Sequence, residues 1–96
     1  MNREEILAYL SKKKPEFEEK YGVKKIGLFG SYAEGKNNEQ SDIDIVVELI
    51  QPDLLILIGI KQHIQEKLGK KVDIVRYRDR MNHTLKKRID KDALYV

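Results

Sequence analysis

The chain has 96 residues, of which 41% are hydrophobic and 36% charged, so we expect a globular protein with a single domain over residues 1–96. It contains no cysteine, which excludes disulfide scaffolds, thiolate metal sites and cysteine nucleophiles. The formal net charge of +3 favours anionic partners such as phosphates but is too small to indicate nucleic acid. The longest apolar run, residues 54–58, is far shorter than the roughly 20 residues of a membrane helix, and no signal-peptide pattern is present. We therefore expect a cytoplasmic protein without a membrane partner.

Hydrophobic periodicity and capping residues predict helices that alternate with strands. In chain order, the predicted elements are a helix over 3–14, a short helical continuation over 15–21 opened by Pro15, a strand over 23–29, a turn with a brief helix and a loop over 30–41, a strand over 42–47, a helix over 53–68, a strand over 72–77 and a helix over about 82–90. Asn2 and Glu5 have the spacing of a capping box, and Pro15 is expected to interrupt the first helix. Gly22 and Gly69 are expected to end helices. This order predicts an α/β or α+β fold class with a small mixed sheet flanked by helices.

Three aspartates stand in apolar, strand-like surroundings. Asp42 and Asp44 are two positions apart on one predicted strand, so their side chains point to the same face, with Cα atoms roughly 6.5 Å apart. Asp73 lies in the apolar run of the next strand. Like charges about 4 Å apart repel by roughly 4 kcal/mol at an effective dielectric constant near 20, so a cation is expected there. The pattern favours a site with oxygen ligands for Mg²⁺, one ion or two, over aspartates that only cap strands or pair with surface lysines.

The segment 28–35 predicts a strand that turns directly into a helix at Gly30 and Ser31. Free backbone N–H groups and a hydroxyl at the start of a helix suit a phosphate group. The Walker pattern is absent, and Phe29 stands where a nucleophile elbow needs its first glycine. A Gly-Ser turn by itself does not specify a ligand.

Gly30-Ser31, ten intervening residues, Asp42-Ile43-Asp44 and the later Asp73 together resemble the signature of the polymerase-β-like nucleotidyltransferase superfamily. Within this superfamily, the chain from about residue 23 onward is similar to the minimal nucleotidyltransferase (MNT) family. The motifs that carry this similarity are Leu-Phe-Gly-Ser-Tyr-Ala-x-Gly, Ser-Asp-Ile-Asp-Ile-Val-Val and Lys-Lys-Val-Asp-Ile-Val. The resemblance implies that Gly30 and Ser31 bind the β- and γ-phosphates of a nucleoside triphosphate. It also implies that Asp42 and Asp44 bind the metal ions and that Asp73 completes the site.

MNT proteins are often antitoxins encoded with a HEPN-domain ribonuclease toxin. The resemblance therefore implies Mg²⁺-dependent transfer of AMP from ATP to a hydroxyl of a HEPN toxin, with Asp73 as a candidate acceptor of the hydroxyl proton. Glu34 stands where the family commonly has a basic residue, which removes a cation near the triphosphate. Two other functions stay open. One is a nucleotide-binding module that neutralises its partner by contact, and the other is an enzyme for a small-molecule hydroxyl, although such enzymes carry an added helical domain.

Other polar residues are predicted to have structural or solvent-exposed roles. His63 and His83 have no partner at metal-ligand spacing, so exposed or capping positions are expected. Residues 86–88 are expected to form the polar face of the last helix. Tyr77, on the strand face of Asp73, is either a half-buried aromatic or part of the site lining.

The helix over 53–68 is apolar around much of its circumference. Its predicted core stripe consists of Leu57, Ile60, Ile64 and Leu68. Leu55 and Ile58 lie outside that stripe, and a chain of this length cannot easily bury a whole helix. We therefore expect an exposed apolar surface, which the apolar tail 94–96 can extend, that mediates self-association or docking of the acceptor protein.

Overall fold

The structure, a computed structural model, describes all residues 1–96 as four helices and four strands. In chain order these are α1 (Arg3–Tyr21), β1 (Val23–Phe29), α2 (Gly30–Glu34), β2 (Ile43–Leu49), α3 (Leu54–Leu68), β3 (Val72–Arg76), α4 (His83–Asp92) and β4 (Leu94–Tyr95). The strands form one sheet in the order β3-β2-β1-β4, in which β2 and β3 are parallel and the other pairs antiparallel. This arrangement confirms the predicted fold class with its small mixed sheet. None of the helices has the length and apolar character needed to cross a membrane.

The ends of α1 follow the capping signals of the sequence. The Asn2 side chain accepts a hydrogen bond from the Glu5 backbone, and the Glu5 side chain accepts one from the Asn2 backbone. Gly22 ends the helix in the left-handed conformation. The predicted interruption at Pro15 is wrong, because α1 runs through this residue without a break. Proline removes one backbone hydrogen bond, and the buried side chains of Leu10 and Phe17 on either side hold the helix against the sheet.

The last strand, β4, was not predicted from the sequence. Two residues are too few to show a hydrophobic period, and Leu94 and Tyr95 pair with Leu28 and Gly27 of β1. Glycine is required at position 27 by this pairing, because a Cβ there would lie 2.9 Å from the carbonyl oxygen of Leu94. The fourth strand of the sheet therefore forms because the backbones of β1 and β4 can approach closely at Gly27.

The two faces of the sheet are covered by different helices. The main core lies between one face and the helices α1 and α3, and includes Ile6, Leu10, Phe17, Ile26, Leu28, Ile43, Ile45, Val47, Ile60 and Ile64. On the other face, α4 inserts Ile89 against Phe29 and Val46 in a second, smaller cluster. Because side chains alternate along a strand, the residues between the core positions of β2 point to this second face.

Helix α3 leaves the expected apolar surface exposed. Ile60 and Ile64 are buried, whereas Leu55 and Ile58 are exposed, as their positions on the helix predicted. The role of this surface as an interface stays a prediction. His63, for which an exposed or capping position was expected, is only partly exposed, because its ring packs edge-on against Phe17 with the centroids 5.2 Å apart.

We expect the substitution Leu55→Lys to leave the free energy of unfolding unchanged to within about 0.5 kcal/mol, because Leu55 is 75% exposed. Ile60→Ala, on the same helix but at a position that is 0% exposed, should cost about 2–5 kcal/mol. Urea unfolding followed by circular dichroism measures both values. A large destabilisation by Leu55→Lys would show that this side chain belongs to the core.

Candidate active site

Strand β2 places Asp44 at the centre of the second face of the sheet. Its neighbours Ile43 and Ile45 are fully buried in the main core, so the Asp44 side chain points to the opposite face. In the sheet register Asp44 lies beside Asp73 of β3 on one side and Phe29 of β1 on the other. Two of the predicted site residues, Asp44 and Asp73, are therefore brought together by the pairing of parallel strands.

The carboxyl group of Asp44 is in an unfavourable electrostatic environment. Burial raises its pKa above the usual range, and the charges of Asp73 and Asp42 raise this pKa further. Arg88 of α4 acts in the opposite direction and lowers the pKa of Asp44. The ionised carboxylate would therefore be stabilised by an additional cation.

Asp42 does not lie within a strand as predicted, since β2 begins one residue later. The loop that leads into β2 holds it half-buried, with its Oδ2 atom 3.6 Å from Nζ of Lys71. Such a pair at the surface contributes little to stability and is readily exchanged. Asp73 is exposed on β3, at the edge of the sheet. The site is thus half-buried at Asp44 and open to solvent at Asp73.

The Gly30-Ser31 turn lies directly against Asp44. Strand β1 ends at Phe29, and α2 begins at Gly30, which has a φ of 75° in the left-handed region. A Cβ built on Gly30 would overlap the Oδ2 atom of Asp44 and lie 3.0 Å from its Cγ. Glycine is therefore required at position 30 both by the backbone conformation and by the adjacent carboxylate.

The start of α2 has polar groups without a side-chain partner. No side chain caps this helix, so its first N–H groups have no capping partner. Ser31 is partly exposed, and its hydroxyl makes no hydrogen bond within the protein. Its backbone carbonyl accepts a hydrogen bond of 2.9 Å from the Lys36 amide, which closes the short helix.

Two basic residues make contacts that the sequence did not indicate. The guanidinium carbon of Arg88 lies 5.9 Å from the centroid of the Phe29 ring, so this residue is directed to the second face of the sheet, although the basic run 86–88 predicted only a solvated surface. Lys70 donates hydrogen bonds from Nζ to the Tyr32 hydroxyl at 2.9 Å and to the Glu39 carbonyl at 3.4 Å. Both contacts join residues far apart in the chain, where sequence spacing gives no signal.

Tyr77 lies just beyond β3 and packs against the second cluster. Its hydroxyl donates a hydrogen bond of 2.9 Å to Oδ1 of Asp90, and this bond raises the pKa of Tyr77. The structural reading of Tyr77 as a half-buried aromatic is therefore the one supported by the contacts.

The oxygen donors of the candidate site are of the chemical type that binds a magnesium ion. Asp42, Asp44 and Asp73 offer only carboxylate oxygens, which are the ligands that Mg²⁺ prefers. A cation between Asp44 and Asp73 would relieve the electrostatic cost that raises the pKa of Asp44. In the present side-chain conformations no three His, Asp or Glu residues stand close enough to hold an ion together.

Comparison with known proteins gives matches over almost the whole chain. A family model described as "Nucleotidyltransferase domain" matches residues 10–96. The chain is 40% identical over 92 residues to the protein adenylyltransferase MntA of Thermococcus cleftensis, covering 95% of this chain and 88% of that protein. The solved structure of a candidate minimal nucleotidyltransferase has a TM-score of 0.79 at 27% identity, covering 98% of this chain and 95% of the other. A toxin–antitoxin structure with AMP-PNP has a TM-score of 0.71 at 26% identity, covering 99% and 72%.

We expect Asp44→Asn to raise the free energy of unfolding of the metal-free protein at neutral pH. The pKa of Asp44 is higher in the folded than in the unfolded state, so ionised Asp44 destabilises the fold at pH values above its folded pKa. As the pH falls below the ordinary Asp range, the carboxyl group is protonated in both states, and the advantage of the variant should disappear. Urea unfolding as a function of pH measures this difference.

Asp79→Asn is the matched control, since Asp79 is exposed in a turn and its removal changes the net charge by the same amount. It should show a much smaller dependence on pH. If Asp44→Asn instead strongly destabilises the metal-free protein, Asp44 is a structural hydrogen-bond acceptor.

Proposed function

We propose a specific reaction for this chain, which belongs to the nucleotidyltransferase domain family. The reaction is the transfer of AMP from ATP to a hydroxyl group of a partner protein, and the partner is a HEPN-domain toxin that the modification neutralises. The observation that carries the proposal is the contact of the Gly30 turn with Asp44, which lies beside Asp73 in the sheet. A phosphate-binding turn and a pair of carboxylates are the two parts that nucleotidyl transfer requires.

The nucleotide would bind through the start of α2. The N–H groups of this helix and the Ser31 hydroxyl would donate hydrogen bonds to the β- and γ-phosphates, and the absence of a side chain at Gly30 allows close approach. The α-phosphate would then lie toward Asp44, because Gly30 and Asp44 are in contact. The relative MntA is named a protein adenylyltransferase, which supports ATP as the nucleotide.

Asp42, Asp44 and Asp73 would hold Mg²⁺, which supplies charge neutralisation of the triphosphate and acidifies the acceptor hydroxyl. In the reaction, the hydroxyl oxygen of the acceptor forms a bond to the α-phosphorus, and the bond from that phosphorus to the bridging oxygen of the β-phosphate breaks. Pyrophosphate leaves, and the hydroxyl proton passes to the carboxylate of Asp73. Asp73 is suited to this role because it is exposed at the edge strand, where a protein acceptor can reach it.

A protein acceptor is favoured over a small molecule by the relative MntA, which is named a protein adenylyltransferase. The exposed position of Asp73 on the edge strand leaves this carboxylate accessible to such an acceptor. A structure similar to this chain is described as a toxin–antitoxin complex with AMP-PNP, which supports a toxin as the partner.

We expect α-labelled ATP with Mg²⁺ to transfer label to a HEPN-domain toxin mixed with this chain, and Asp44→Asn to abolish the transfer. Autoradiography of the separated proteins measures the label, and mass spectrometry identifies the modified residue. γ-labelled ATP is the control, because adenylyl transfer leaves the γ-phosphate in pyrophosphate while a kinase would move it to the protein. Neutralisation of the toxin without label would favour the alternative, a module that acts by contact alone.

We expect Gly30→Ala to weaken Mg-ATP binding strongly, because its Cβ displaces the Asp44 carboxylate. Gly35→Ala is the matched control, since Gly35 has nearly the same φ, 74°, but has nothing within 4 Å of the added Cβ. Ser31→Ala should weaken binding by the roughly 0.5–3 kcal/mol of one hydrogen bond to a charged group. Isothermal titration calorimetry measures all three affinities, and equal losses in the two glycine variants would contradict a specific role for Gly30.

A further inference from the structure

Arg88 of α4 is placed beside the strand position of Asp44, and the proposed reaction does not use it. Helix α4 packs against β1 and α2, and its buried Ile89 is anchored between Phe29 and Val46. This anchor directs the preceding residue, Arg88, over the ring of Phe29. Phe29 is both the register neighbour of Asp44 and the residue before Gly30. The guanidinium group is therefore held at the boundary between the carboxylates and the proposed phosphate-binding turn.

The hydrogen-bonding capacity of Arg88 is unused within the protein. None of the four ion pairs of the structure includes it, and its side chain is exposed. Packing over an aromatic ring positions the guanidinium plane without consuming its N–H groups. A planar group with five free donors, beside a site for a polyanion, has the geometry that binds phosphate oxygens in pairs.

We propose that Arg88 is a substrate-binding residue that contacts the triphosphate of the nucleotide. This inference rests on the proposed function and extends it to a residue of α4. Asp44 and Asp73 would be neutralised by metal ions when the nucleotide binds, and the guanidinium would then interact with the phosphates instead of the carboxylates. The contact is made to the charged part of the nucleotide that leaves as pyrophosphate, so ATP should depend on Arg88 and AMP should not.

The test compares the affinity of the full chain for Mg-ATP and for AMP, measured by calorimetry. Arg88→Ala should weaken Mg-ATP binding roughly tenfold, as expected for one charge-assisted contact from an exposed side chain, and should leave AMP binding unchanged to within about twofold. Arg88→Lys keeps the charge but loses the planar fork, so its affinity should lie between those of the wild type and Arg88→Ala.

Lys87→Ala is the matched control, since Lys87 is the adjacent exposed cation on α4 and has no contact with the site residues. It should bind Mg-ATP like the wild type. Thermal melting checks that each variant is folded. If Arg88→Ala does not fold, the Mg-ATP and AMP affinities of Arg88→Lys decide whether Arg88 contacts the triphosphate.

Equal weakening of ATP and AMP by Arg88→Ala, or no weakening of either, would overturn the proposal. So would a loss of ATP affinity in Lys87→Ala as large as that in Arg88→Ala, because it would reflect net charge alone. If the wild type binds Mg-ATP but transfers no label, the proposed function fails while the affinities still decide the role of Arg88. If it binds no Mg-ATP, both proposals fail.

Discussion

The position of one carboxylate, that of Asp44, constrains much of the surrounding structure. It lies on a central strand, partly removed from water and next to the charge of Asp73, so its ionised form is disfavoured. The turn after β1 must pack on this carboxylate, and only glycine at position 30 leaves room for it. The ionised Asp44 carboxylate therefore lowers the stability of the fold, and the left-handed conformation of Gly30 beside it makes no contribution to the hydrophobic core. Both are consistent with a site that binds a cation and a phosphate.

The two faces of the sheet have different roles: one packs in the main hydrophobic core, and the other carries the polar residues of the candidate site. Alternation along β2 sends Ile43 and Ile45 into the main core and Asp44 to the opposite face. Large apolar side chains from α1 and α3 cover the first face, and this burial supplies most of the hydrophobic stabilisation. The second face has only a small apolar cluster under α4 and can therefore carry polar groups. In this chain of 96 residues, a single layer of strands therefore provides both the core face and the face of the candidate site.

The C-terminal part of the chain places Arg88 beside the candidate site without contributing a recognisable motif. Ile89 anchors α4 on the second face, and this anchor brings Arg88 to Phe29 and toward Asp44. The strand that follows, β4, pairs with β1 and holds the end of α4 near the sheet. The proposed contact of Arg88 with the nucleotide therefore depends on packing between segments about sixty residues apart in the sequence. No local sequence pattern can predict a contact between segments so far apart.

The sequence by itself determined the type of fold and the candidate site residues. The alternation of helices and strands, the Gly30-Ser31 turn and the strand-borne Asp44 and Asp73 are local patterns, and local patterns follow from backbone geometry and side-chain period. The tertiary structure decided what depends on contacts between distant segments: the continuity of α1 through Pro15, the pairing of β4 and the direction of Arg88. These features are set by burial and close packing, which can outweigh a lost hydrogen bond or a weak local preference.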